Sequence, residues 1–238
     1  MNPGLVPAAI VGGTAASYVV AIAIGVPALV PFLNVAPAFP FMVASLRRGR
    51  IAEAVWRMLV WAAALAVCST TISYLATAEA GSVFLRGESY RREMFEFILT
   101  GSGPEGDIRR FLPQHAAHAV VFSGLSLATG SVLAMPLGAL LMNYMGYYVG
   151  ALGAASAHPW TAMALAWVPW AVIRIAGFVT LGVVLAGPIL GRFLRFEYRL
   201  AHQRRWIAAA AGALLADVVL KWILAPSWRE MIRNAAGW

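Results

Sequence analysis

The sequence predicts an all-α membrane protein, a polytopic transmembrane helical bundle of about six membrane-spanning helices with one amphipathic helix outside the membrane. Of the 238 residues, 61% are hydrophobic and only 12% are charged, and the mean hydropathy is +0.75. Apolar runs of roughly 20 residues, the length that crosses a bilayer, recur along the chain and alternate with short Arg-rich loops. This composition excludes a soluble globular domain, a disordered chain, a coiled coil and a collagen-like rod. The whole chain is therefore expected to form a single membrane domain.

The charged residues follow the pattern of a membrane protein and not that of a nucleic-acid-binding protein. The chain carries 18 Lys and Arg residues against 10 Asp and Glu residues, a net charge of +8, and Lys221 is its single Lys. Because the cations lie in short loops between apolar runs, they are interpreted as markers of membrane topology. The preference for Arg, Ala and Gly is typical of a GC-rich bacterial genome, so the bacterial cytoplasmic (inner) membrane is the expected location. The lone Cys68 excludes an intrachain disulfide and any zinc or iron–sulfur site built from cysteines.

Six membrane-spanning segments are predicted, at about residues 7–27, 51–77, 118–136, 137–156, 160–190 and 206–224. The first begins too close to Met1 to leave the positively charged region of a cleaved signal peptide. The third and fourth share one apolar stretch, residues 115–157. As a single helix this stretch would be about 65 Å long, twice the thickness of the hydrocarbon core. It must therefore fold back, and Gly130, Ser131 and Pro136 mark the expected turn.

Two groups of arginines predict the orientation of the bundle. Arg47, Arg48 and Arg50 follow the first span, and a second group occupies residues 192–205, between the fifth and sixth spans. The positive-inside rule places both groups in the cytoplasm. Spans two to five provide the even number of crossings that this placement requires, so six helices with both termini outside are expected.

Residues 28–46 are the segment that could change this count. They are apolar, but Pro31, Pro37 and Pro40 oppose a regular helix, so a broken or interfacial segment is expected. If the segment crosses the membrane instead, the bundle has seven helices and the N-terminus lies inside.

Residues 78–114 form a long polar loop. Its acids and arginines nearly balance, so the loop can be translocated to the extracytoplasmic side. Ser89 can begin a helix that runs to Thr100 and ends at Gly101. The apolar face of this helix consists of Tyr90, Met94, Phe97 and Ile98. The helix either lies flat on the outer membrane surface or acts as a lid or a docking face for a partner.

Three charged residues lie near the middle of predicted spans, where each costs about 2.5–3.5 kcal/mol unless it has a partner or a wet cavity. Arg174 lies midway along the fifth span and Asp217 midway along the sixth, with Lys221 one turn further on. An Arg174–Asp217 pair is the simplest way to neutralise both groups, and Asp217 with Lys221 is the local alternative. Lys221 can also extend outward to the interface. The pair is either an interhelical clamp, part of a substrate or proton path, or a contact with another subunit.

Two further pairs of side chains are candidates for the site. Asn143 and Tyr147 share one face of the fourth span and either only pack or join Arg174 in a polar pocket. His115 and His118 could share a metal ion or relay protons, or they could form a polar collar at the interface. Neither a third ligand nor a His-Glu-x-x-His motif accompanies the histidines, and no pair of histidines is placed to hold a haem. The sequence therefore identifies no cofactor.

Three classes of function remain. The first is a small-solute transporter or permease-type membrane subunit, which buried charges and helices interrupted by Pro and Gly favour. The second is a non-catalytic scaffold or assembly subunit of a larger membrane complex. The third is a membrane enzyme that acts on lipid or quinone at the outer interface, but no nucleophile or phosphate-binding motif supports catalysis. The expected partners are the lipid bilayer and either other membrane subunits or further copies of this chain, and no nucleic acid is expected.

Overall fold

The computed structural model describes residues 4–238, and within that range the chain consists of helices and the turns between them, without a β-strand. The α-helices are α1 (Leu5–Ile24), α2 (Val30–Val35), α3 (Phe39–Arg47), α4 (Ile51–Leu75), α5 (Thr77–Val83), α6 (Gly87–Thr100), α7 (Ile108–Thr129), α8 (Ala134–Ala154), α9 (Pro159–Ala166), α10 (Pro169–Leu194) and α11 (Arg204–Ala236). Short 3₁₀-helices at Pro27–Leu29 and Leu200–Gln203 precede α2 and α11. The predicted all-α bundle is confirmed.

Some of these helices are suited by length and composition to cross a membrane. Within the described chain they are Leu5–Ile24, Pro27–Arg47, Ile51–Leu75, Pro169–Leu194 and Leu200–Ala236. The less apolar α7 and α8 pack among them as a helical hairpin. The chain is thus an integral membrane protein of the multi-pass type.

The long apolar stretch folds back where its sequence predicts. Helix α7 ends at Thr129, and the next two residues, Gly130 and Ser131, have left-handed backbone with φ of 59° and 66°. The Ser131 hydroxyl donates a hydrogen bond of 2.6 Å to the carbonyl of Gly182, which fixes the turn against α10. Pro136 lies within the first turn of α8 and not in the reversal itself.

Residues 27–47 pair with α1 as an antiparallel hairpin. The Asn34 side-chain amide donates a 2.9 Å hydrogen bond to the Ser17 hydroxyl. Further along, a Cβ added to Gly13 would lie 2.7 Å from the Cβ of Pro37. The prolines do break the segment into short helices, but each of these helices carries its proline near its start, where the missing N–H costs little.

This hairpin changes the expected path of the chain. Because the two segments run past each other in opposite directions, Leu5 lies at the end of the bundle that α3 reaches at Arg47. The six-helix prediction placed the N-terminus at the opposite end from this arginine group. The geometry instead matches the seven-helix alternative, in which residues 28–46 cross the bilayer.

The bundle has two chemically different ends. Residues 49–53 line one surface depression together with residues 202, 203, 205 and 206, so both groups of arginines lie at one end, here named the arginine end. At the opposite end, the Ala157 N–H donates a 3.0 Å hydrogen bond to the carbonyl of Ala236. Helices α5 and α6 and the loop that follows them, residues 101–107, cover this second end. These three segments are named the lid, and the end that they cover is named the lid end.

The predicted span 160–190 is interrupted near the lid end. Helix α9 stops at Ala166, and α10 begins at Pro169, whose ring suits the first turn of a helix. Arg174 lies in the second turn of α10, just beyond this interruption. The following span is longer than predicted, since α11 continues past residue 224 to Ala236.

Helix α6 packs onto protein and not flat onto the membrane. Its side chains at Met94, Phe97 and Ile98 are buried against α8 and α11. The Arg229 guanidinium donates hydrogen bonds of 2.9 Å to the carbonyls of Phe97, Ile98 and Leu99. The Phe97 carbonyl also accepts a 2.8 Å hydrogen bond from the Gly101 N–H, and all three carbonyls lie in the last turn of α6, so Arg229 caps the helix and anchors it to α11.

Candidate functional site

The buried Asp217 carboxylate joins three helices. Its Oδ2 lies 3.9 Å from Arg174 Nη1 on α10 and 3.4 Å from His115 Nδ1 on α7. Asp217 is 0% exposed, and neither carboxylate oxygen accepts a hydrogen bond from residues 4–238. The structure therefore places Arg174 beside Asp217, as the sequence predicts, and adds His115 as a further neighbour.

Lys221 has a different partner from those expected. Its Nζ lies 2.8 Å from Glu105 Oε1 and 3.3 Å from the centre of the Phe111 ring. The side chain is only 2% exposed, so it does not extend outward to the interface. The alternative in which Lys221 pairs with Asp217 is not what the structure shows, because Glu105 reaches Lys221 from the loop between α6 and α7.

The environment of Glu105 keeps its carboxyl ionised. Burial acts to raise the pKa of Glu105, but the positive charges of Lys221 and Arg174 more than offset burial, so the pKa lies below its ordinary value. The pKa of Glu93, on the lid, shifts in the opposite direction. Burial raises it, and the nearby negative charge of Glu105 raises it further. The loop thus inserts a negative charge beside two cations.

A cavity of about 110 Å³ opens beside these charges, between α7, α8 and α10 and beneath the lid. Its polar wall includes Glu93, Glu105, His115, His118, Tyr144 and Arg174. Its apolar wall includes Trp61, Phe122, Met135, Met142 and Phe178. The volume is well below the roughly 300–1,000 Å³ of pockets that enclose a whole drug-sized ligand. The cavity therefore fits a small solute or the polar group of a larger one.

Arg174 keeps most of its donors free for a ligand. The guanidinium has five N–H donors, yet it makes no hydrogen bond to any residue between 4 and 238, and its ion pair to Asp217 is long. The side chain retains 19% exposure and lines the cavity. Phe111 adds a cation–π contact of 5.6 Å. A carboxylate or a phosphate matches this arrangement, because it offers paired acceptor oxygens and opposite charge.

Asn143 and Tyr147 do not join Arg174. Asn143 accepts a 2.6 Å hydrogen bond from the Tyr18 hydroxyl and donates a 2.8 Å hydrogen bond to Asn34. Tyr147 instead donates its hydroxyl to Glu88 of the lid, at 3.0 Å. Both side chains thus connect helices elsewhere in the bundle, and the predicted shared pocket with Arg174 is wrong.

Both histidines line the cavity, but only His115 contacts Asp217. His118, one turn further on, makes no hydrogen bond to any residue from 4 to 238. Within those residues, no group of three or more His, Cys, Asp or Glu side chains is placed to hold a metal ion.

Glu105 is the site residue that sequence reasoning missed. One signal pointed to it, because the charged residues away from the span ends are two cations, Arg174 and Lys221, but a single acid, Asp217. This imbalance requires a further carboxylate from outside the spans, and the polar loop at residues 78–114 supplies six candidates. The sequence alone does not indicate which of the six reaches Lys221.

Comparisons with known protein families, with curated proteins and with solved structures gave no match to this chain.

Proposed function

We propose that this protein is a small-solute transporter or permease-type subunit of a bacterial cytoplasmic membrane, with its lid end on the outer side. Its ligand carries a carboxylate or phosphate group that binds Arg174. The observation that carries this proposal is the set of unused guanidinium donors facing the cavity.

The interrupted helix beside the cavity supports movement of a solute in addition to binding. Helices broken near polar residues are typical of transporter binding sites, and the α9–α10 break lies one turn from Arg174. The lid loop provides an element whose displacement opens the site.

Ethyl phosphate, radiolabelled and offered to proteoliposomes, tests this function. The intact protein should show saturable uptake, and Arg174→Gln should reduce uptake at least tenfold, because the charge and the paired donors are lost together. Arg205→Gln at the arginine end is the matched control and should leave uptake unchanged. Uptake that does not saturate, or that Arg174→Gln leaves intact, rules the proposal out.

The contact between His115 and Asp217 favours one second candidate, an enzyme acting on the head group of a lipid or quinone. A carboxylate behind an imidazole orients the ring, so that its other nitrogen can act as a base. Head-group release from membranes containing the intact protein, abolished by His115→Gln, would favour this candidate over transport.

A further inference from the structure

We propose that the ligand of the Arg174 cavity is an amphiphile, an anionic head group on an apolar chain, and that it enters sideways from the bilayer between α7 and α8. This inference rests on the proposed function, since it specifies the ligand class of the same site. Three features of the cavity lead to it.

The first feature is a gap in the side of the bundle. Helix α7 packs mainly on α10, whereas α8 packs mainly on α4 and α6, so the two helices of the hairpin diverge from their turn. Gln114 and His118 of α7, together with Gly138 and Leu141 of α8, line the cavity and remain partly exposed. The cavity therefore opens between two helices that the sequence predicts to cross the bilayer.

The second feature is the order of polar and apolar groups along the walls. Along α7, the cavity wall changes from polar at His115 to apolar at Phe122. Phe122 lies about 10 Å further from the lid, at 1.5 Å per residue. On α10 the wall changes over one turn from Arg174 to Phe178. A head group at the polar level therefore places the first carbons of an attached chain beside aromatic side chains.

The third feature is volume. The cavity of about 110 Å³ accommodates a head group but not the chain attached to it. The lid covers the cavity at the lid end and is held there by the ion pair between its Glu105 and Lys221 of α11. An attached chain therefore extends through the gap into lipid, where burying apolar surface is favourable.

The inference is tested by measuring the affinity of the protein, in lipid nanodiscs, for alkyl phosphates of increasing chain length from ethyl to octyl. Affinity should rise with each added methylene, by up to about fourfold if the group is fully buried. Longer probes also partition into the lipid of the nanodisc, and this effect is the same for every variant. The inference is therefore decided by comparing variants with the same probe.

Gly138 provides the decisive variant. A Cβ at this position would lie 3.6 Å from the Phe122 ring, an ordinary contact, so Gly138→Ala should fold normally, and Gly138→Leu should fill the gap. We expect Gly138→Leu to weaken the binding of octyl phosphate at least tenfold more than it weakens the binding of ethyl phosphate, with Gly138→Ala intermediate. Gly124→Leu is the matched control, because Gly124 has nothing within 4 Å, and it should behave as the intact protein.

The outcomes separate the two proposals. If Gly138→Leu and Gly138→Ala bind octyl phosphate as tightly as Gly124→Leu does, side entry by an amphiphile is overturned, while binding of ethyl phosphate at Arg174 still stands. If Arg174→Gln binds every probe as the intact protein does, the proposed function fails, and the inference fails with it.

Discussion

Asp217 determines how the buried charges are balanced at the scale of single residues. It faces a guanidinium and an imidazole, without accepting a hydrogen bond from the described residues 4–238. A carboxyl left without its partner can become neutral by binding a proton, whereas a guanidinium in a protein keeps its charge. The two members of the Arg174–Asp217 pair should therefore respond differently to mutation.

Asp217→Ala should be more damaging than Arg174→Ala in the free energy of unfolding, measured by denaturant titration in lipid. The loss for Asp217→Ala should be about 3–5 kcal/mol, typical of a buried pair broken on one side. The double change of Arg174→Met with Asp217→Leu should recover much of it. Glu230→Ala, on the same helix but exposed, is the control and should cost little. Strictly additive losses in the double variant would show that the two residues do not interact.

Glu105 should make the lid sensitive to pH only under acidic conditions. Because its pKa in the folded protein lies below the ordinary value of 4.5, its contribution is complete at neutral pH and disappears as the pH falls through the lowered pKa. A spin label at Ser102→Cys, in a Cys68→Ser background, should thus stay immobile down to about pH 4.5 and become mobile below it. Glu105→Gln should make the label mobile at every pH, and a transition near pH 6 or 7 would contradict this assignment.

At the scale of helices, the seam between α4 and α8 is the tightest contact near the site. Gly150 allows the two backbones to meet, since an added Cβ would lie 2.5 Å from the Thr70 carbonyl oxygen and 2.6 Å from the Ser73 Cβ. Small residues that permit such close approach are a common basis of helix pairing in membranes. Because α8 also forms one wall of the cavity, this seam holds the cavity open.

Gly150→Ala should destabilise the bundle by about 1–3 kcal/mol, the usual cost of overpacking, as measured by the free energy of unfolding. Gly12→Ala is the control, because nothing lies within 4 Å of a Cβ at Gly12. It should be neutral or stabilise by up to about 1 kcal/mol, since Ala favours the helix. Equal effects of the two changes would mean that α4 and α8 are not in close contact.

Local sequence signals predict most helices and their ends, but not how the helices pair. Gly130 ends α7 and Gly101 ends α6, as their left-handed backbones allow. The path of residues 27–47 could not be predicted, because it depends on Asn34, which is satisfied by partners distant in sequence. The same is true of Lys221 and Glu105, which are 116 positions apart and meet only in the folded bundle.

At the scale of the whole molecule, the order of crossings determines on which side each chain segment lies. The hairpin of α1 with residues 27–47 puts Leu5 at the arginine end, together with Gln203, while Ser102 belongs to the lid end. With seven crossings, the positive-inside rule predicts the arginine end inside and the lid outside.

Single cysteines at Leu5, Ser102 and Gln203, each in the Cys68→Ser background, should report this topology. An impermeant maleimide added to intact cells should label the cysteine at Ser102 only, and the other two should react after the membrane is opened. The Cys68→Ser protein without a new cysteine gives the background. Labelling of the cysteine at Leu5 from outside would restore the six-helix arrangement.

Helix α11 follows every other helix of the described chain, yet its residues Lys221 and Arg229 hold the lid in place. During synthesis, α8 is therefore made before Lys221 and Arg229 can contact the lid. Until α11 enters the membrane, Glu105 lacks Lys221 and the last carbonyls of α6 lack Arg229, so the lid is held mainly by its packing on α8. We therefore expect the site to reach its closed form only when α11 has joined the bundle.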